Sequence, residues 1–476
     1  MHSIRKMILL SALAIALSGR ALADIPREAI QKLKRSVVNI EAACQVALNC
    51  EQTGNWIGTG FIVDKAKGLI ATNSHVAMTS PARHSVRIFG GVTADARRLY
   101  SDPTHDFALL KVDPADIPAE ASEVEFGDSF ALKEGDEVFM VGNSEGSAYT
   151  VKTGFVTALS LNRGDRHSAT IRTSFDRNKG SSGAPVADAS AKVVAIHFKG
   201  SDTTSWELRV EYLKDALKEV QTSGKVKRGE CGMALDLISV DDAVKHYKLP
   251  PETARKIKSL EEYIRQTICV ESSIPGTAAQ AAGLEPGDIV LEINGQAIGD
   301  NLYLADKLVN EALEKGSVEV TVMRAGKEIK ANLGIEDAQT QKVRTFALYA
   351  GGVFQSLTPE LRRRFGFTAQ DHGAFLVFAK NGATFSGLGN SLEEGGESYA
   401  ILVSALDGHP TRDLESFMKV AGGLPERCKT NMMIKDGKSA SGGSRSVMIT
   451  VDPTFGALQI FDWSDQKLEW VERRGK

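Results

Sequence analysis

The chain has 476 residues, with 57 basic against 60 acidic side chains and a formal net charge of −3. At roughly 100–200 residues per domain, that length holds two to four domains. Its 42 % apolar and 25 % charged residues are an ordinary globular composition. The balance excludes a long disordered chain and a membrane channel. It also speaks against an electrostatic nucleic-acid binder, which needs a surplus of Lys and Arg. The five cysteines are too few for a disulfide-built scaffold.

Residues 1–23 read as a signal peptide rather than as part of the fold. A basic start, His2 to Lys6, is followed by the apolar run Met7 to Leu17 and by Ala21-Leu22-Ala23, the pattern of a cleaved secretory leader. The run is shorter than the ~20 residues a spanning helix needs. No later segment is long and apolar enough to span, so no stable membrane anchor is expected, the alternative being an uncleaved leader. Cleavage after Ala23 leaves a mature chain starting at Asp24. The short leader places it in the periplasm, with secretion as the second choice. In an oxidising compartment Cys44 and Cys50 are spaced to close a small surface loop, the alternative being two free thiols. Cys231, Cys269 and Cys428 remain, and at least one of them is unpaired in a monomer.

Residues 27–36 have the spacing of a short amphipathic helix, which runs into the strand Val37 to Ala42. Short β segments follow to about residue 212, at Gly60–Val63, Val86–Phe89, Phe107–Val112, Glu137–Val141, Gly154–Leu159 and Val193–His197. Many short strands punctuated by Gly, Asn, Asp and Pro imply a barrel or sandwich. Val210 to Val220 is helical in spacing, and the polar stretch Thr222 to Gly229 marks a domain boundary. A second unit, about 228–340, holds two turns around an alternating strand, Gly283 to Ala297, and then a helix, Leu302 to Leu313. A third, about 344–476, loosely repeats that plan, with Tyr399 to Pro410 preceding the helix Leu414 to Ala421.

Three stretches of the β-rich region carry chemistry: Thr72-Asn73-Ser74-His75-Val76, Thr104-His105-Asp106-Phe107, and Gly180-Ser181-Ser182-Gly183-Ala184-Pro185. Their order along the chain, His, Asp, Ser, is that of chymotrypsin-like triads. A serine hydroxyl is a weak nucleophile at neutral pH and needs a base within hydrogen-bond reach. His75 is that base, because imidazole titrates near physiological pH. Asp106 holds the other ring nitrogen and fixes the tautomer. Glycines around Ser182 permit a tight turn. The N–H groups of Gly180 and Ser182 then converge where a tetrahedral oxyanion forms. A lone histidine at a strand end is more often structural, and it is the combination that is specific.

With these motifs the sequence resembles the HtrA (Deg) family of exported serine proteases. The matching stretches are Ser36–Ile40, Gly58–Ile62, Thr72–Val76, His105–Leu110, Gly127–Ser129, Val141–Asn143, Thr153–Val156 and Gly180–Pro185. The turn-strand-turn at 283–297 extends the likeness to a PDZ domain. The resemblance implies a mainly β chain: a chymotrypsin-like double β-barrel over 24–223, then two PDZ-like α+β domains at 228–340 and 344–476, the second diverged. It implies His75, Asp106 and Ser182 as base, orienter and nucleophile, and a homotrimer. The sequence departs from the family at Ser181 and Ala184 beside the nucleophile and at Trp206–Val210 near the cleft. It also lacks the aromatic residues that knit family trimers between Asp24 and Ser36.

Asp176 precedes Ser182 by six residues, the spacing at which trypsin-like proteases place an acid at the base of the primary pocket. The alternative is a solvated loop aspartate paired with Arg177 or Lys179. His197, Phe198 and Lys199 are the other pocket candidates, Lys199 standing near a position that trypsin-like enzymes keep as glycine. PDZ domains bind a peptide C-terminus by strand addition, with loop N–H groups on the carboxylate. By its match to the family loop, Glu230-Cys231-Gly232-Met233 is the carboxylate loop of the second unit. Tyr349 to Phe354 is the candidate in the third, the alternative there being a packing module that binds no peptide. No metal, nucleotide or other cofactor motif is present. The resulting expectation is an exported, ATP-independent serine endopeptidase acting on unfolded or damaged envelope proteins. A chaperone or PDZ scaffold with a dormant protease fold and a narrow processing protease are the alternatives.

Overall fold

The computed structural model of the chain describes residues 25–473 apart from 50, 145, 162–167, 177–178, 261–264, 381, 387, 389–399 and 438–442. The leader-like segment 1–23 therefore lies outside the described residues. The chain enters through α1 (Arg27–Lys34), whose Ala29 and Leu33, four apart, form its buried face. Six strands follow: β1 (Val37–Cys44), β2 (Gly54–Asp64), β3 (Leu69–Thr72), β4 (Ala82–Arg87), β5 (Thr93–Asp102) and β6 (Phe107–Lys111). They close into an antiparallel barrel in the order β1-β2-β3-β6-β5-β4, with the single-turn helix α2 (Ser74–Ala77) after β3. Closure removes both sheet edges. Val38, Ile40, Ile62, Ile70, Val86 and Leu110 fill the interior, each worth roughly 1.5–3 kcal/mol when fully buried.

The second barrel is built from β7 (Glu125–Phe126), β8 (Glu137–Ser144), β9 (Ser147–Leu161), β10 (Thr170–Thr173), β11 (Pro185–Asp188), β12 (Lys192–Gly200) and β13 (Ser205–Arg209). The order β11-β8-β9-β10-β13-β12 closes through the β11–β12 pair, and β7 adds in parallel to β12. Val138, Met140, Ile171, Val186 and Ala195 form its interior. Helix α3 (Glu211–Ser223) then lays Leu213, Ala216, Leu217 and Val220 on the core, and Gly224 ends it in the left-handed conformation at φ 76°. The double barrel expected from the motifs is thus present.

The second unit opens with the short β14 (Gly229–Glu230) and the strand β15 (Met233–Ser239), followed by α4 (Val240–Tyr247), α5 (Pro251–Lys258), β16 (Gln266–Ser273), α6 (Ala278–Ala281), β17 (Ile289–Ile293) and β18 (Gln296–Ala297). Helix α7 (Leu302–Glu311), capped by the Asn301 side chain, leads to β19 (Ser317–Arg324), β20 (Lys327–Gly334) and β21 (Glu336–Asp337). The main sheet runs β15-β16-β17-β19-β20, with β18 on β17 and β14 paired with β21. β15 is an edge strand among the described residues. One apolar cluster runs from the barrels through Leu217 of α3 to Val309 of α7.

The third unit contains β22 (Thr345–Tyr349), β23 (Gly352–Ser356), α8 (Pro359–Phe365), β24 (Ala374–Ala379), β25 (Ile401–Leu406), β26 (His409–Pro410), α9 (Leu414–Gly423), β27 (Lys429–Asp436), β28 (Ser444–Thr450), β29 (Gln459–Ser464) and β30 (Glu469–Glu472). Its strands β23-β24-β25-β27-β28, with β26 on β25 and α9 after it, repeat the strand order of the second unit. The difference lies at the edge. β22 pairs with β23, and β29 and β30 extend the sheet beyond it. Tyr349 to Phe354 is therefore no carboxylate loop. Tyr349 pairs with Gly352 across a tight hairpin turn, with Ala350 at φ 44° and Gly351 at φ 82°. The unit rests on the first barrel through Leu48, which packs with Val343, Phe346 and Val353. Asn49 and the Gln355 amide exchange two 2.8 Å hydrogen bonds there.

The loop that docks there is the one expected to carry a disulfide. Cys44 is instead a buried free thiol whose S–H donates to the Val46 carbonyl at 3.2 Å, and burial pushes its pKa up to about 11. Its expected partner Cys50 lies outside the described residues. Among those residues no helix is long and apolar enough to cross a membrane.

Candidate active site

His75 sits on α2, immediately beyond β3, and Asp106 in the turn between β5 and β6. The first barrel brings them together. His75 Nδ1 lies 2.9 Å from Asp106 Oδ2 and 3.1 Å from Oδ1, and the His75 backbone N–H donates to Oδ1 at 3.0 Å. Asn73 donates its side-chain amide to the Asp106 carbonyl at 2.8 Å. The Asp106 side chain is 1 % exposed and that of His75 is 41 % exposed. A buried carboxylate thus orients a ring that is itself open to solvent. Asp106 stands at φ 62°, a left-handed conformation that costs a non-glycine residue on the order of 1 kcal/mol. Its N–H is held by the Asp102 carbonyl at 2.8 Å.

Ser182 comes from the second barrel, in the turn before β11, and is stitched to the first. Thr59 of β2 donates its N–H to the Ser182 carbonyl at 2.8 Å and its hydroxyl to the Gly180 carbonyl at 2.7 Å. Gly183 lies in the seam at φ 86°, where an added Cβ would fall 2.1 Å from the Thr59 carbonyl oxygen and 2.4 Å from Thr72 Oγ1. Glycine at this position is thus a requirement of barrel–barrel contact. With both carbonyls pinned on Thr59, the N–H groups of Gly180 and Ser182 donate to no protein acceptor among the described residues. That is the condition for an oxyanion hole. No hydrogen bond joins Ser182 Oγ to His75 Nε2 among the described residues. Resting triads often close this link only with substrate bound. Ser181 and Ala184, the two unusual neighbours, point away into packing. The Ser181 hydroxyl meets that of Ser144 at 2.9 Å, and Ala184 is fully buried.

The pocket candidates fare differently. Asp176 is not at the base of a pocket. Its side chain is 64 % exposed and paired with Lys152, and that ion pair holds its carboxyl below the usual range. Arg177, a neighbour proposed for that pairing, lies outside the described residues. Lys199 is exposed, its ammonium 5.9 Å from the Trp206 ring centroid. Phe198 is buried. His197 is buried too, and its Nδ1 meets Glu207 Oε2 at 3.0 Å. Glu207 also accepts from the Thr173 and Ser205 hydroxyls. This Thr-Ser-Glu-His cluster was not singled out from the sequence. The register that pairs His197 with Glu207 across β12 and β13 creates it.

In the second unit Glu230 to Met233 does form a turn before an edge strand. Gly232 adopts φ 88° and its carbonyl accepts from Ile274 at 2.8 Å. The Glu230 carboxylate itself takes the Gly232 N–H at 2.7 Å, and Cys231 is buried.

Comparison with known proteins finds two domain matches along the chain. Residues 58–196 match the trypsin-like peptidase domain model, and residues 270–322 match the PDZ domain model. The pro-apoptotic serine protease NMA111 of Yarrowia lipolytica is 28 % identical over 83 % of this chain, and that of Candida glabrata 27 % over 85 %. The chain spans about two fifths of the length of these curated relatives, 40 % and 41 %. Among solved structures, the HtrA-type protease AlgW with decapeptide is 22 % identical with a TM-score of 0.47, covering 65 % of this chain and 97 % of its own. The serine endoprotease from Yersinia pestis is 21 % identical with a TM-score of 0.44, covering the same shares. The chain thus matches a trypsin-like peptidase domain followed by a PDZ domain, and it is similar in sequence to serine proteases of the NMA111 type.

Proposed function

We propose that the chain is a serine endopeptidase working through His75, Asp106 and Ser182. The observation that carries this is the buried Asp106 carboxylate, 2.9 Å from Nδ1 of a solvent-open His75, at a seam where Thr59 ties down the Ser182 turn. As Ser182 Oγ bonds to the scissile carbonyl carbon, its proton passes to His75 Nε2, and Asp106 stabilises the imidazolium. The oxyanion accepts from the Gly180 and Ser182 N–H groups. When the C–N bond breaks, His75 gives the proton to the leaving amine. Water then hydrolyses the acyl ester and restores the serine.

The substrates we propose are unfolded or damaged envelope proteins. The leader-like residues 2–23 support export, and the open edge of β15 beside the 230–233 turn supports capture of peptide C-termini by strand addition. A fluorophosphonate probe that labels the purified chain, and casein cleavage abolished in Ser182→Ala, test the chemistry. Equal cleavage by the two forms would refute it. The unmade Ser182–His75 hydrogen bond favours one second reading, a PDZ scaffold with a dormant protease. Absence of labelling with and without C-terminal peptides would select that reading.

A further inference from the structure

The residue next to the triad aspartate belongs to a buried cluster that joins two domains. His105 is 1 % exposed. Its Nδ1 lies 3.0 Å from Asp102 Oδ2, and its backbone N–H donates to Asp102 Oδ1 at 3.0 Å. Its Nε2 lies 3.1 Å from Oδ2 of Asp306, which is on α7 of the PDZ domain. The Tyr212 ring of α3 stacks on the imidazole at 4.0 Å between centroids, and its hydroxyl donates to Asp306 Oδ2 at 2.9 Å. Arg228, at the entrance to the PDZ domain, spans the two carboxylates at 3.5 Å from Asp102 and 3.2 Å from Asp306.

These contacts all bear on one turn. Asp102 holds the Asp106 N–H through its carbonyl at 2.8 Å and holds His105 through its carboxylate. Asp106 occupies a left-handed conformation that persists only where its surroundings enforce it. The imidazole of His105 is the lever by which α3 and α7 grip that turn. The two carboxylates share the Arg228 guanidinium. Burial alone would raise the Asp102 pKa, but Arg228 and His105 hold it well below the carboxylate range. Burial likewise opposes the Arg228 charge, which Asp102 and Asp306 sustain.

Resting on the protease reading above, we infer that His105 is a positioning residue for Asp106 and that the PDZ domain supplies half of its seat through Asp306 and Arg228. The catalytic carboxylate is then set by three separated parts of the chain. Weakening the seat tilts Asp106 away from His75 and slows general-base activation of Ser182. The barrel strands themselves are left in place.

The test uses the full chain with Asp306→Asn, which keeps the shape of the side chain and removes its charge. Fluorophosphonate labelling of Ser182 and the kcat and KM for a peptide substrate are measured beside thermal unfolding. The expected result is at least about a tenfold fall in both labelling rate and kcat, with KM within about twofold, while the variant stays folded at the assay temperature. Tyr212→Phe removes one hydroxyl while keeping the stacked ring, and it should shift kcat and labelling in the same direction by a smaller factor. It decides the matter if Asp306→Asn does not fold. Unchanged labelling and kcat in the folded variants would overturn the inference while leaving the protease reading intact. Failure of the unaltered chain to label would overturn both.

Discussion

The imidazole of His197 and the carboxylate of Glu207 meet at 3.0 Å between two strands of the second barrel, both shut away from solvent. Truncating Glu207 leaves a buried imidazole and two hydroxyls without their shared acceptor. Leaving buried donors without an acceptor costs about 1–3 kcal/mol. Glu207→Ala should therefore lower stability by that order in urea titration. A change of under about 0.5 kcal/mol, the range of neutral surface substitutions, would show that the cluster is not holding the strands.

At the triad, Asp106→Asn keeps the volume of the side chain but presents an N–H where His75 Nδ1–H needs an acceptor. By the precedent of such substitutions elsewhere, kcat should fall by roughly 10⁴, and Ser182→Ala should lose roughly 10⁴–10⁶. Neither should change the far-ultraviolet circular dichroism. Casein and peptide turnover measure both.

Asp176 offers a contrasting case. Its carboxylate is exposed and tied to Lys152, so it is not placed to receive a substrate side chain. Asp176→Ala should leave the distribution of cleavage sites on a mixed proteome unchanged, and it should alter stability by no more than about 1 kcal/mol, as for other surface ion pairs. Loss of cleavage after Lys and Arg in that variant would restore the pocket role that its spacing from Ser182 suggests.

These cases show what could be read from the chain and what could not. His75, Asp106 and Ser182 each sit in a short motif whose local geometry (a strand end, a tight turn, a glycine-flanked loop) is written in adjacent residues. The barrel folds supply the rest. The role of Asp176 depends on how a loop leaves its strand, and spacing from Ser182 alone does not carry that. The third unit repeats the second legibly in its helix and turns, but its extra strands come from both ends of the unit. β22 and β29 are about 110 residues apart in sequence and adjacent in space. Glu207, Asp102 and Asp306 carried no local signal at all. The one hint was His105 beside Asp106, a polar neighbour in a motif otherwise followed by apolar residues.

His84, buried between β1 and β5, should make the fold acid-sensitive. Burial, and then the nearby Arg98 guanidinium, push its pKa down from 6.5 to about 4, and its Nε2 has no hydrogen-bond partner among the described residues. The unfolded chain takes up this proton below about 6.5, and the folded chain only near 4. Stability from this group is therefore full above 6.5, is lost as the pH falls toward 4, and is level below that. The whole swing is about 3 kcal/mol. In His84→Phe the unfolding free energy should fall less steeply across that window, and parallel curves for the two proteins would exclude this residue as the source.

The second and third units should differ in ligand binding because their edges differ. β15 ends its sheet, whereas β23 is already paired by β22. Adding a peptide strand to the third unit would require β22 to leave, together with the β29 and β30 pairs beyond it. All measurable binding of C-terminal peptides should therefore belong to the second unit. Gly232→Val tests this in the full chain. Gly232 is at φ 88°, and a Cβ there would fall 1.8 Å from Thr277 Oγ1, so the carboxylate turn cannot keep its shape. Fluorescence anisotropy with a free-carboxylate peptide should register binding to the unaltered chain and none to Gly232→Val. An amidated peptide of the same sequence should bind neither. Residual saturable binding in the variant would place a second site on the third unit, and β22 would then have to be a displaceable strand.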